Sequence, residues 1–138
     1  MGYYSDVYIE LTEKAFRFAV DNYRNNPKYS DMAENPFTLA DRVYIIPDCN
    51  CVGFFFHWIK WYTDSYYLGF DEIKFWTETL SKLEELAEED EEIGYYFIRM
   101  GEEWEDIEEL YQNSHYHGYP IMEINISPNA KIASFEEI

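Results

Sequence analysis

The chain has 138 residues, 47% of them hydrophobic and 20% aromatic, and its 28 Asp and Glu stand against 10 Lys and Arg, for a formal net charge of -18. One hydrophobic core usually spans ~100–200 residues, so a single domain over residues 1–138 is expected. The 14 Tyr, 10 Phe and 4 Trp exclude a disordered acidic chain, and the scarcity of Lys and Arg argues against direct binding of nucleic acid or an anionic membrane.

In chain order, Val7, Ile9 and Leu11 alternate with Asp6, Tyr8 and Glu10, the period of a strand with one buried and one wet face over 4–11. Thr12 then serves as an N-cap, and Ala15, Phe16, Ala19, Val20 and Tyr23 recur at helical spacing until Asn25-Asn26-Pro27 ends the helix. Residues 28–39 have no sustained period and read as a connecting loop. Residues 42–46 have strand composition, Pro47-Asp48-Cys49-Asn50 is turn chemistry, and 52–62 is an aromatic strand, together a hairpin.

That aromatic strand is bulky on both sides. Strict alternation puts Val52, Phe54, Phe56, Trp58 and Tyr62 on one face and Phe55, His57, Ile59 and Trp61 on the other, as for an interior strand covered twice. After a loop at 63–69, Ile73, Trp76, Leu80, Leu83 and Ala87 form the apolar stripe of a helix. Residues 93–100 read as a strand with a turn at Gly101, and 102–111 fits either a helix or a return strand, with the hairpin preferred. A further strand is expected at 121–126, ended by Pro128 and Asn129.

The order strand, helix, strand, strand, helix, strand predicts an α+β, ferredoxin-like (βαββαβ) antiparallel sheet with two helices on one face and a C-terminal β extension. The opposite face is left for that extension or for a partner.

Charge is concentrated in the second half. Residues 71–110 hold 16 acids and 3 bases. Within them lie Glu84, Glu85, Glu88, Glu89, Asp90, Glu91 and Glu92, and then Glu102, Glu103, Glu105, Asp106, Glu108 and Glu109. On a helix the pairs Glu84–Glu88, Glu85–Glu88, Glu85–Glu89 and Glu88–Glu92 would stand ~5–6 Å apart and repel, at the end where the helix dipole is already negative. Only Lys82 is near in sequence. A solvated face that keeps an aromatic-rich protein soluble is one account. The other is display to a basic partner: carboxylates at regular spacing imitate the charge row of nucleic acid, about 3.4 Å per nucleotide along one strand, and would steer fast, salt-sensitive association.

Other constellations are weaker. Cys49 and Cys51, one residue apart, with His57, His115 and His117 lack zinc-ligand spacing, so no metal or other cofactor is expected. No phosphate loop, nucleophile elbow or HExxH occurs, so no catalytic residues are assigned and a non-enzymatic protein is expected. An exposed subset of Tyr4, Tyr8, Tyr66, Tyr67, Tyr95 and Tyr96 is the candidate for anchoring a partner or a homodimer. No apolar run reaches membrane-spanning length and the first residues lack signal-peptide character, so a cytoplasmic location is expected.

The opening Met1-Gly2-Tyr3-Tyr4-Ser5-Asp6-Val7 and the stretch Tyr96-Phe97-Ile98-Arg99-Met100-Gly101-Glu102-Glu103-Trp104-Glu105-Asp106-Ile107-Glu108-Glu109 resemble small acidic proteins of bacteriophages and prophages that begin MGYYxDV and carry a FIRxGE…DDIEE-like segment. The resemblance implies a phage setting, in which small acidic proteins include anti-CRISPR and anti-restriction inhibitors. With the charge map, it leads to the expectation of a DNA mimic occupying the basic groove of a host nucleic-acid-binding protein. A protein-interaction or dimerisation module with an aromatic sheet face is the alternative.

Overall fold

The computed structural model describes residues 4–32, 34–47, 50–61, 71–114 and 131–133. Strand β1 (Ser5–Thr12) runs directly into helix α1 (Glu13–Asn25). Thr12 makes this abrupt change possible: its backbone is extended and its Oγ1 accepts from Ala15 N at 3.4 Å, satisfying one of the helix's orphan N–H groups. The same hydroxyl meets Glu92 O at 2.8 Å and Gly94 N at 2.9 Å, tying the helix start to a segment 80 residues away.

A short helix α2 (Pro27–Ser30) lies in the stretch expected to be a loop. Asn26 and Pro27, read as a stop for α1, also start α2, because Asn26 Oδ1 accepts from Lys28 N and proline suits the first helical turn. The connection is an inner wall of the core. Tyr29 packs edge-on against Phe75 at 5.0 Å, and Phe37 is fully buried among Phe16, Tyr23, Phe54, Phe75 and Trp76. Trp76 Nε1 donates to Pro36 O at 3.0 Å, so the one polar atom of a buried indole is satisfied.

The remaining elements are β2 (Arg42–Ile46), β3 (Cys51–Ile59), α3 (Asp71–Ala87), β4 (Tyr95–Gly101), β5 (Ile107–Gln112) and β6 (Lys131–Ala133). The chain is α+β, with its described strands in one antiparallel sheet ordered β5-β4-β1-β3-β2-β6. Val7, Ile9, Leu11, Phe54, Phe56 and Phe97 turn one face of the sheet toward Ala15 and Phe16 of α1 and Ile73, Trp76, Leu80, Leu83 and Ala87 of α3. The α3 stripe is therefore buried as expected. Burial of each such side chain is worth about 1.5–3 kcal/mol, which is what holds the helices to the sheet.

The expectations for β1 and β3 change. β1 does not have a wet face, since Tyr8 is 1% and Glu10 3% exposed, and Tyr8, Tyr96 and Ile98 form a second buried cluster on the sheet's other side. The facing of β3 holds only as far as Phe56. Val7 pairs with Phe56 but Ser5 with Ile59, an extra residue that makes a β-bulge, and Trp58 sits there at φ 55. The bulge inverts the alternation: Trp58, expected beside Phe56, is 53% exposed, while Trp61, expected opposite, is buried against Phe56 and Phe97. Strand 102–111 resolves as a hairpin whose return strand is β5. β6 lies beyond the Pro128-Asn129 stop and pairs with β2, whereas the expected 63–69 loop, 121–126 strand, Tyr62, Tyr66 and Tyr67 fall outside the described residues.

Candidate functional site

The first acidic run begins on the end of α3 and continues past it. α3 ends at Ala87, and Glu89 N and Asp90 N both donate to Leu86 O, at 3.2 and 3.1 Å, in the turn that closes it. Glu84 and Glu85 lie on the last turn of the helix, whereas Glu88, Glu89, Asp90, Glu91 and Glu92 lie beyond it, so helical spacing is not continued through the run. The chain leaves the helix where continuing would stack acids on the negative end of the dipole.

Lys14 of α1, distant in sequence, pairs with this run. Lys14 Nζ lies 2.5 Å from Asp90 Oδ2 and 3.4 Å from Glu92 Oε2. Asp90 also accepts from Glu92 N at 3.0 Å. The Lys14 hydrogen bond, aided by that backbone N–H, holds Asp90 below the usual carboxylate range, and the Asp90 bond raises Lys14. Asn113, at φ 53 just past β5, donates from one Nδ2 to Ala87 O, Asp90 O and Ile93 O at 3.0, 3.3 and 3.0 Å. Asp90 and Glu92 thus shape the turn, whereas Glu84, Glu85, Glu88, Glu89 and Glu91 project into solvent. A depression of about 490 Å³ opens between this turn and the start of α1. Its cations are already paired, Lys14 as above and Arg17 with Glu13.

The second run builds the β4–β5 hairpin. Gly101 N donates to Asp106 O at 2.8 Å and Asp106 N to Glu103 O at 2.9 Å. Arg99 chelates the Asp106 carboxylate, and Glu102 Oε1 accepts from Tyr4 N at 2.9 Å. Glu109 accepts from Tyr96 Oη, and Glu108 stands opposite Arg99 in the ladder. Glu102, Glu103 and Glu105 are exposed, while Asp106, Glu108 and Glu109 are half-buried.

The two runs sit at opposite ends of the seven-residue β4, about 20 Å apart at the ~3.4 Å rise of an antiparallel strand. β5 joins them, carrying Glu108 and Glu109 between. The acids therefore follow one border of the sheet from the hairpin to the α3 turn. Beside them lie exposed apolar residues absent from the tyrosine set singled out in the sequence: Trp104, Leu110 and Tyr111 are 70%, 49% and 50% exposed. Of that set, Tyr8, Tyr95 and Tyr96 are buried and Tyr4 half-buried. Their positions in strands with two covered faces could not be read from alternation.

His57 is exposed, its Nδ1 2.9 Å from Asp6 Oδ1 and its N–H donated to Asp41 Oδ2 at 2.6 Å. Asp6 Oδ1 also accepts from Trp58 N at 2.8 Å, and Trp58 stacks on Tyr4 at 5.6 Å. These contacts pin the bulge. Cys51 is buried, and Cys49, His115 and His117 lie outside the described residues. Among the described residues no group of three or more His, Cys, Asp or Glu is arranged to hold a metal ion, and no helix is long and apolar enough to cross a membrane.

Glu10 is the titratable group that sequence reading missed. It occupies an alternate polar position in β1, yet lies on the covered second face with Tyr8 Oη donating to it at 2.8 Å. Burial pushes it up from 4.5 to about 7, against the opposing effect of that hydrogen bond.

Comparison of the chain with protein-family models, with curated proteins and with solved structures returned no match.

Proposed function

We propose that the protein is a non-enzymatic inhibitor that lays its acidic border into the cationic, nucleic-acid-binding groove of another protein and displaces the nucleic acid. One observation carries the reading: exposed Glu84 and Glu85 at the end of α3, with Glu88, Glu89 and Glu91 in the turn after it, stand near one end of β4, and exposed Glu102, Glu103 and Glu105 of the hairpin stand at the other. Carboxylates held at that separation by strands and turns are pre-organised for a basic groove. The resemblance to phage proteins supports a host restriction or CRISPR nuclease as the partner class and a bacterial cytoplasm as the setting of this reading. The central order β4-β1-β3-β2, with α1 linking β1 to β2 and α3 linking β3 to β4, supports classing the fold as ferredoxin-like.

A nuclease competition assay tests the reading. At low salt the wild-type chain should reduce DNA binding by a susceptible restriction or CRISPR nuclease, and the effect should fade as salt rises. The triple variant Glu85→Lys, Glu88→Lys, Glu89→Lys should lose inhibition while keeping its unfolding midpoint. An unchanged triple variant, or no inhibition across a panel of such nucleases, rejects the proposal. The exposed Trp104, Leu110 and Tyr111 favour the alternative of an interaction or dimerisation module, in which their replacement, rather than charge reversal, would abolish partner binding.

A further inference from the structure

Among the described strands β5 is the last on its side of the sheet, and the phase of its ladder decides which backbone groups are used. Thr12 N donates to Gly94 O at 3.1 Å across β1–β4, and Gly101 N to Asp106 O at 2.8 Å across β4–β5. Bonded and non-bonded pairs alternate in an antiparallel ladder. With Arg99 opposite Glu108 and Phe97 opposite Leu110, the N–H and C=O of Glu108 and Leu110 therefore face β4. Those of Glu109 and Tyr111 face outward, where no described strand meets them.

An outward row of this kind is a template for another strand, and natural sheets commonly guard it with Lys, Pro or a bulge. This edge has no Lys or Pro, and its charges are the carboxylates of Glu108 and Glu109. Its side chains come instead in two matched pairs. On the helix side of the sheet stand Glu108 and half-exposed Leu110; on the other side stand Glu109 and half-exposed Tyr111. Each face thus offers one carboxylate followed by one apolar surface.

We propose that β5 is an addition site for an extended cationic segment of a partner protein. Running antiparallel, that segment presents two apolar residues to Tyr111 and Leu110 and then two Lys or Arg to Glu109 and Glu108. Main-chain bonds at Glu109 and Tyr111 supply the affinity, and the side chains supply the register. Charge disfavours a second copy of this chain: each copy carries -18, and registers centred on Glu108 or Glu109 set like charges face to face. The inference deepens the reading of the acidic border and rests on it for the sign of the partner's charge.

The test uses the wild-type chain and a capped peptide, acetyl-Thr-Val-Val-Lys-Lys-Thr-amide, with a control of equal charge N-methylated at the first Val and first Lys, the residues that would bond to β5. Amide-resolved hydrogen exchange is the readout. The unmodified peptide should slow exchange at Glu109 and Tyr111 by about tenfold and leave Glu108 and Leu110, already paired with β4, nearly unchanged; the N-methylated peptide should not. Equal binding by the two peptides without this protection overturns strand addition in favour of charge alone. Protection that rises with protein concentration in the absence of peptide overturns it in favour of self-pairing, and no binding by either peptide also overturns it. No nuclease or nucleic acid is present, so failure here is distinguishable from failure of the competition assay.

Discussion

Arg99 grips Asp106 through two parallel hydrogen bonds, Nη2 to Oδ1 at 2.8 Å and Nη1 to Oδ2 at 3.1 Å, with Ser5 Oγ a further partner at 3.2 Å. The guanidinium side chain is 15% exposed. This fork joins the middle of β4 to the foot of the hairpin and fixes where the second acidic run points. Asp106→Asn keeps the side-chain volume but removes the charge, and should cost about 1–2 kcal/mol, between the values for exposed and buried pairs. The urea unfolding midpoint reports it, and an unshifted midpoint would contradict the role.

Glu10 should make stability depend on pH in the direction opposite to a salt-bridged acid. Its folded value of about 7 lies above its ordinary 4.5, so the folded state binds the proton more tightly. The contribution is fully present below pH 4.5, falls as pH rises toward 7 and is gone above it. Glu10→Gln removes the titration, and the difference isolates this carboxyl from the other acids. The variant should match wild type near pH 4 and exceed it by about 3 kcal/mol near pH 8. A stability difference that stays flat across that range would refute the assignment.

At Trp58 the order of two truncations should invert. In a regular strand Ala is better than Gly, but Trp58 has φ 55, where a Cβ is strained. Trp58→Gly should therefore be about 1 kcal/mol more stable than Trp58→Ala, although both lose the stack on Tyr4. Thermal melts of the two variants decide the sign.

Gly94 sits where three segments converge. A Cβ there would collide with the Asn113 carbonyl oxygen and stand 2.9 Å from the Asn113 carbonyl carbon and 3.0 Å from Thr12 Cγ2. Backbone cannot give way as a side-chain tip can, so Gly94→Ala should cost more than about 2 kcal/mol. It should also loosen the turn of Glu88 to Glu92 that Asn113 and Lys14 hold. Faster amide exchange at Asp90 and Glu92 is the expected signature, and wild-type exchange with a wild-type melt would exclude it.

Local pattern was enough for several parts of the fold. The presence of β1, the Thr12 cap, the bounds of β2 and the stripe on α3 were legible because each depends on residues within one or two turns of one another. Within the loop expected at 28–39, the short α2 and the burial of Tyr29 and Phe37 were not legible, because their partners are distant in sequence and no period announces them. The acidic border was legible as charge but not as shape, since Lys14 reaches Asp90 and Arg99 reaches Asp106 only once the strands are paired.

By itself the sequence determined the class of the fold, the surplus of negative charge and its confinement to residues 71–110, because composition and short-range periodicity do not need a partner to be read. Tertiary structure decided which acids brace turns and which face solvent, which side of β3 each tryptophan takes and which backbone groups of β5 remain outward. Those outcomes depend on ladder phase and on one inserted residue at a bulge, and a shift of one residue sends every following side chain to the other face.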